Sequence, residues 1–197
     1  EENNHDIDLS IDFLRKKGLA KANKKSTREA KEGAVGYFSK DDLSLIMQIN
    51  TETDFAAKNE VFLDFMEEIS EFALKNNDSN LKIEDFNNMI FDDSKISDKF
   101  KNIISKIGEN IVLNKLLFIN KDKETLISHY IHNSYRKNIG KIAVMMKSKV
   151  SKVNDEAKLF GKNLCMHIAA SKPLAIDINN LDKEMVSKEK ELQLETI

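Results

Sequence analysis

Four histidines and one cysteine are the side chains here best suited to metal or covalent chemistry: His5, His129, His132, His167 and Cys165. A shared metal site needs ligands that converge at a fixed spacing. His129 and His132 are three residues apart in an apolar, strand-like run, which puts them on opposite faces. Cys165 and His167 add no recognised ligand spacing. The six glycines stand singly, so no Gly-rich loop is formed to cradle a phosphate. No Ser or Cys sits in a nucleophile motif. The residues therefore predict no catalytic group, no metal and no cofactor, and a protein that is not an enzyme. A metal or hydrolytic site around His129, His132 or His167 is the remote alternative.

The segment Thr53-Asp54-Phe55 carries more information, because it lies where a strand pattern ends and a helix pattern begins. Thr53 suits an N-cap, and Asp54 would sit in the first turn, where the helix dipole favours a carboxylate. Phe55 has two readings. It either extends the apolar stripe that resumes at Phe62 and Phe65, or it protrudes as an interface anchor beside an acid. The intervening stripe positions are Lys58 and Asn59, so the stripe lapses at this end. His167 poses a similar choice. One turn from Leu164, it reads as a core-edge histidine holding a hydrogen bond, with a contact residue as the other reading.

A basic stretch from Arg15 to Lys31 holds eight cations against Glu29 alone. It could follow a phosphate backbone, which makes an RNA- or ribosome-associated module the second hypothesis. It lacks interleaved aromatics for base stacking, and the whole chain has a net charge of −2. A linker or a solvated helix face is the plainer reading, and direct nucleic-acid binding is not expected.

The elements that position these residues belong to an ordinary globular protein, with 41% hydrophobic and 32% charged residues in 197. No apolar run is long enough to span a membrane, and Glu1-Glu2-Asn3-Asn4 is unlike a secretory signal. A lone cysteine fits a reducing compartment. A chain opening on Glu1 reads as cut from a longer one. Ile7, Ile11 and Leu14 predict a helix stopped by Gly18. Strands follow over Gly33–Ser39 and, by alternation of Leu43, Leu45, Met47 and Ile49, over the next run; Lys40-Asp41-Asp42 turns between them. Phe62, Phe65, Met66, Ile69, Phe72 and Ala73 mark a helix begun at Thr53. Ile96 to Ile107 marks another, closed by Gly108. Strand runs at 111–119, 126–132 and 139–146 precede a helix from Asp155 that Pro173 ends, then a charged helix from Asp182 to the final residue. Hairpins interleaved with helix pairs give an α+β fold of two small antiparallel sheet-plus-helix units. The second has only one hairpin, short of the three strands an independent sheet needs.

Five segments in order give these patterns a family. Thr53-Asp54-Phe55-Ala56-Ala57-Lys58-Asn59 resembles the signature of the elongation factor Ts family of nucleotide-exchange factors. Leu14 to Ala22, Glu32 to Val35, Lys106 to Ile111 and His167 to Pro173 are similar to further family segments in the same order. The resemblance implies a three-helix N-terminal module with residues 1–18 as its last helix, then a basic linker over 19–32. It implies core subdomains over 33–121 and 122–197, the second truncated before a coiled-coil hairpin and final strands. The partner implied is the GTPase elongation factor Tu in its GDP form, in the bacterial cytoplasm or an organellar matrix. Thr53 would cap, while Asp54 and Phe55, with Ala56 behind them, would enter the GTPase domain and disturb its Mg²⁺ and phosphate site. Ile142, Ala143 and His167 would touch a second domain. Many relatives carry Gly where this chain has Ala143, so a methyl there would crowd a close backbone contact.

Overall fold

A computed structural model describes residues 7–76 and 81–195. The chain runs α1 (Ile7–Lys25), β1 (Glu32–Lys40), β2 (Leu43–Thr51), α2 (Asp54–Ala57), α3 (Glu60–Lys75) and α4 (Ile83–Asn88). It continues through β3 (Ile90–Phe91), β4 (Ser94–Lys95), α5 (Ile96–Ile107), β5 (Ile111–Asn120), β6 (Thr125–Arg136) and β7 (Ile139–Lys149). α6 (Asp155–Ser171) and α7 (Lys183–Glu195) complete it. The class is α+β, as the interleaved patterns predict. Among the described residues, no helix is long and apolar enough to cross a membrane.

The alternation in the second strand dictates the centre of the fold. Leu45, Met47 and Ile49 are fully buried on one face of β2, while Phe38 and Ala34 bury the same face of β1. The two strands pair from Glu32↔Thr51 to Lys40↔Leu43, with Asp41 in a left-handed conformation in the two-residue loop. Asp tolerates that conformation better than most residues. β5 pairs on the other edge of β2, with a bulge at Gln48/Ile49. α3 and α5 cover this face, and the Phe65 and Phe100 rings meet edge-on at 5.0 Å. Each such ring removed from water stabilises the fold by about 1.5–3 kcal/mol.

The hairpin of β6 and β7 continues the same sheet, in the order β5-β2-β1-β7-β6. The seam is narrow: Val35↔Gly140 and Gly36↔Ile139 pair across it, and Tyr37 N–H donates to Asn138 O at 2.9 Å. Arg136 strengthens the join. Its guanidinium reaches Glu60, Asp64 at 2.7 Å and Glu67 at 3.0 Å, all on α3. Those acids share one helix face by spacing, so one forked cation satisfies all three. α6 packs on the hairpin with Gly161 against Ser128, where an added Cβ would lie 2.1 Å from the hydroxyl oxygen.

Two sequence expectations are corrected, for the first helix and for the helix from Thr53. Gly18 does not stop α1, which runs on to Lys25 and takes up much of the basic stretch. A Cβ on Gly18 would lie 2.3 Å from Ser105 Oγ of α5, so the glycine serves close helix packing. Its penalty of about 1 kcal/mol inside a helix is offset by that contact. Ile7 is exposed rather than part of an inward stripe. Residues 1–6 lie outside the described residues, as do the side chains of Ile11 and Leu14. Second, the helix expected from Thr53 is two helices, because Asn59 caps α3 afresh through Val61 N–H at 2.9 Å. The polar stretch after α3, to which the sequence pattern assigns no element, contains α4, whose Phe86 is fully buried, and the short β3–β4 hairpin. The last helix follows Asp182 as expected, capped by that side chain, and residues 196–197 lie outside the described residues.

Candidate functional site

The Thr53 cap forms as its residue type predicts. Its Oγ1 accepts from Ala56 N–H at 3.3 Å, and α2 then lasts a single turn. Ala56 and Ala57 are buried, and α2 lies against β1 and β2. Two methyls allow close approach, and the opposite side of the turn carries Phe55. The helix break at Lys58–Asn59 separates Phe55 from the stripe of α3. Phe55 is 82% exposed, which decides between the two readings: it is a protruding ring, not a core residue.

Its neighbours hold the protrusion still. Glu109, in the turn after α5, accepts Thr53 N–H at 2.9 Å and the Thr53 hydroxyl at 2.7 Å. The Thr51 hydroxyl donates to Thr53 O at 2.7 Å. Asp54 pairs with Lys58 at 2.7 Å, and the hydrogen bond from Lys58 holds the Asp54 carboxyl below the usual carboxylate range. The Lys58 ammonium also lies 5.8 Å from the Tyr135 ring centroid. Phe55, Asp54, Lys58, Tyr135, Thr53, Asn133, Glu32 and Lys141 line an open cleft of about 560 Å³. An apolar ring beside a small ion pair suits docking into a partner's apolar crevice with a polar rim.

Ile142 and Ala143 lie on β7, opposite His132 and Ile131. They line a second cleft of about 320 Å³ with Ile46, Gln48 and Leu117 among others. Glu32 and Lys141 line both clefts and form an ion pair, so the two regions share a wall. Hydrogen bonding to Glu32 pushes the Lys141 ammonium pKa up. His167 lines neither cleft. It is exposed on α6, which corrects the core-edge reading.

Of the other chemistry-bearing residues, His5 lies outside the described residues. His129 stacks on Tyr37 with ring centroids 3.7 Å apart, and burial pushes its pKa down, aided by Lys162. His132 Nδ1 is 3.1 Å from the Tyr130 hydroxyl. Cys165 is buried, and that burial pushes its thiol pKa up, as for an inert cysteine. Among the described residues, no three His, Cys, Asp or Glu side chains cluster to hold a metal ion. Sequence reasoning missed Glu109, Lys58, Tyr135 and Lys141. Glu109 lay within a quoted segment, but its role depends on a contact 56 positions away.

The cap gives one direct expectation. Thr53→Ala removes an acceptor for Ala56 N–H and a donor to Glu109, and should cost about 1 kcal/mol in urea denaturation. Thr53→Ser should recover most of it. Equal stability of all three would show that the cap contributes nothing.

A family model described as Elongation factor TS matches residues 52–197. The chain is 34% identical over 191 residues to Elongation factor Ts of Bartonella quintana (strain Toulouse), covering 96% of this chain and 61% of that protein. It is 33% identical over 196 residues to Elongation factor Ts of Allorhizobium ampelinum, covering 98% and 62%. It is 34% identical over 195 residues to Elongation factor Ts of Rhodospirillum centenum (strain ATCC 51521 / SW), covering 97% and 62%. The chain thus spans about 61–62% of the length of these relatives.

Proposed function

From the premise that this chain belongs to the elongation factor Ts family, we propose that it serves translation elongation as a guanine-nucleotide exchange factor. Its partner in this reading is the GTPase elongation factor Tu in the GDP form, met in the cytoplasm. Asp54 and Phe55 enter the GTPase domain near its Mg²⁺ and phosphate site, and GDP leaves faster. The chain acts by binding and performs no covalent chemistry of its own. One observation carries the reading: Phe55 is a large apolar ring left in water on a backbone that a cap and a carboxylate hold in place.

The chemistry of the disturbance is electrostatic. The metal is the largest positive charge facing the diphosphate, so a wedge that displaces it weakens GDP binding. Ile142 and Ala143 supply a second contact beside the shared Glu32–Lys141 wall, and His167 a third on α6. The exposure of Ile142 and Ala143 is only partial, so the first contact carries more of the reading.

Linkage supplies the test. A factor that weakens GDP binding must itself bind more weakly when GDP is present, by the same ratio. Titrating this chain into nucleotide-free and GDP-loaded elongation factor Tu should give affinities differing by about 5–150-fold, the usual span of such coupling. Equal affinities would remove the exchange reading.

A further inference from the structure

The turn Gly108-Glu109-Asn110 is bonded to two separate segments of the chain, residues 25–28 and residues 52–53. Gly108 closes α5 in a left-handed conformation, φ 88°, which sends the next two residues across to the end of β2. There two carboxylates exchange places. Glu109 takes the backbone N–H of Thr53 at 2.9 Å, and Glu52 takes the backbone N–H of Asn110 at 2.6 Å. Each acid caps the other's strand end, and charge-assisted bonds of this kind are about twice as strong as neutral ones. The buried Asn110 side chain donates to Ser26 O at 3.3 Å and Arg28 O at 2.5 Å, while Lys25 donates to Gly108 O at 2.5 Å. The end of α1 is thereby tied to the same turn.

We propose that this turn sets the direction in which the Asp54–Phe55 tip is presented, with Glu109 as its positioning residue and Asn110 as the anchor to α1. The inference rests on the exchange reading only for its consequence in GDP release; the geometry stands without it. α2 is one turn long and has no length of its own to resist tilting. Thr53, its cap, is therefore the hinge about which the exposed ring would swing. Glu109 holds that hinge by two bonds, one to the backbone and one to the hydroxyl. A neutral side chain of the same size could accept the backbone bond and would lose the charge.

The test uses this chain with Glu109→Ala, Glu109→Gln and Asn110→Ala. Amide exchange of Thr53 should rise about tenfold in Glu109→Ala, the loss expected when one strong bond to a partly buried group is removed. Glu109→Gln should fall between. The sequence has no tryptophan, so F55W introduces a single indole at the tip. Its anisotropy should drop when combined with Glu109→Ala or Asn110→Ala, while thermal unfolding stays cooperative. With elongation factor Tu, Glu109→Ala should slow GDP release in the parent chain but add nothing in a Phe55→Ala background. A purely structural role would make the two losses additive.

Unchanged Thr53 exchange and unchanged anisotropy would overturn the positioning role whatever happens to GDP release. If those physical readouts change as expected but Phe55→Ala leaves release untouched, the exchange reading fails and the turn still positions the tip. Additive slowing in the double substitution would overturn the positioning role even with Phe55 confirmed as a contact.

Discussion

Phe55→Ala should slow GDP release from elongation factor Tu by about one to two decades while leaving this chain as stable as before. The magnitude follows from the ring alone. Burying a Phe side chain stabilises by about 1.5–3 kcal/mol, and each ~1.4 kcal/mol is tenfold. The ring is 82% exposed in the unbound chain, so removing it takes little from the core. Ala also has the better helix propensity in the short α2. Thermal unfolding, far-UV circular dichroism and stopped-flow GDP release together check the claim. Release unchanged at equal occupancy of the complex would show that Phe55 is not the wedge. A parallel fall in melting temperature would show instead that the ring is structural. One ring cannot supply a larger acceleration by itself, and the rest of the interface must provide any excess.

The core around β1 and β2 was legible because local and tertiary signals agree there. Leu43 to Ile49 alternate, Asp41-Asp42 turns, and the structure pairs the two strands throughout. The stop of α5 at Gly108 was equally plain, since glycine at a left-handed cap has a local cause. Gly18 looks the same in sequence and means the opposite. Its contact lies 87 positions on at Ser105, and nothing local reports it. α4 was hidden for a related reason: Phe86 sits among Asn and Asp, and only its burial against α3 and α5 makes that turn a helix.

The site divides along the same line. The cap at Thr53 was readable from residue type. The exposure of Phe55 was not, because it depends on Asn59 recapping the chain, and Asn59 read only as a lapse in an apolar stripe. Family resemblance brought Ile142, Ala143 and His167 into view. It gave no sign that Glu32 and Lys141 wall both clefts, since that contact joins residues from either side of the narrow seam.

Gly33→Ala should be among the most damaging single substitutions in this chain, and its cause is backbone rather than side chain. Gly33 has φ 138°, a conformation that residues with a Cβ rarely adopt. An added Cβ would lie 2.2 Å from Ile49 O and 2.7 Å from Asn50 Cα, both backbone atoms of the paired strand. Neither can rotate away. Strain of about 1–3 kcal/mol from the dihedral adds to about 1–3 kcal/mol of overpacking. At this chain length each ~1 kcal/mol lowers the melting temperature by about 2–4 °C, so a fall near 10 °C is expected. Gly18→Ala is the control. Its Cβ would lie 2.3 Å from the Ser105 hydroxyl, which can turn, and 3.3 Å from Ser105 Cβ, so some close packing is lost. Ala regains about 1 kcal/mol of helix propensity, and its melting temperature should move by only a few degrees. Gly33 also neighbours Glu32, whose strand partner is Thr51, two residues before the cap. Displacing β1 from β2 there should loosen the tip as well, seen as faster amide exchange at Thr53. If Gly33→Ala melts with the parent, β1 does not hold this register, and the platform beneath Phe55 is built differently.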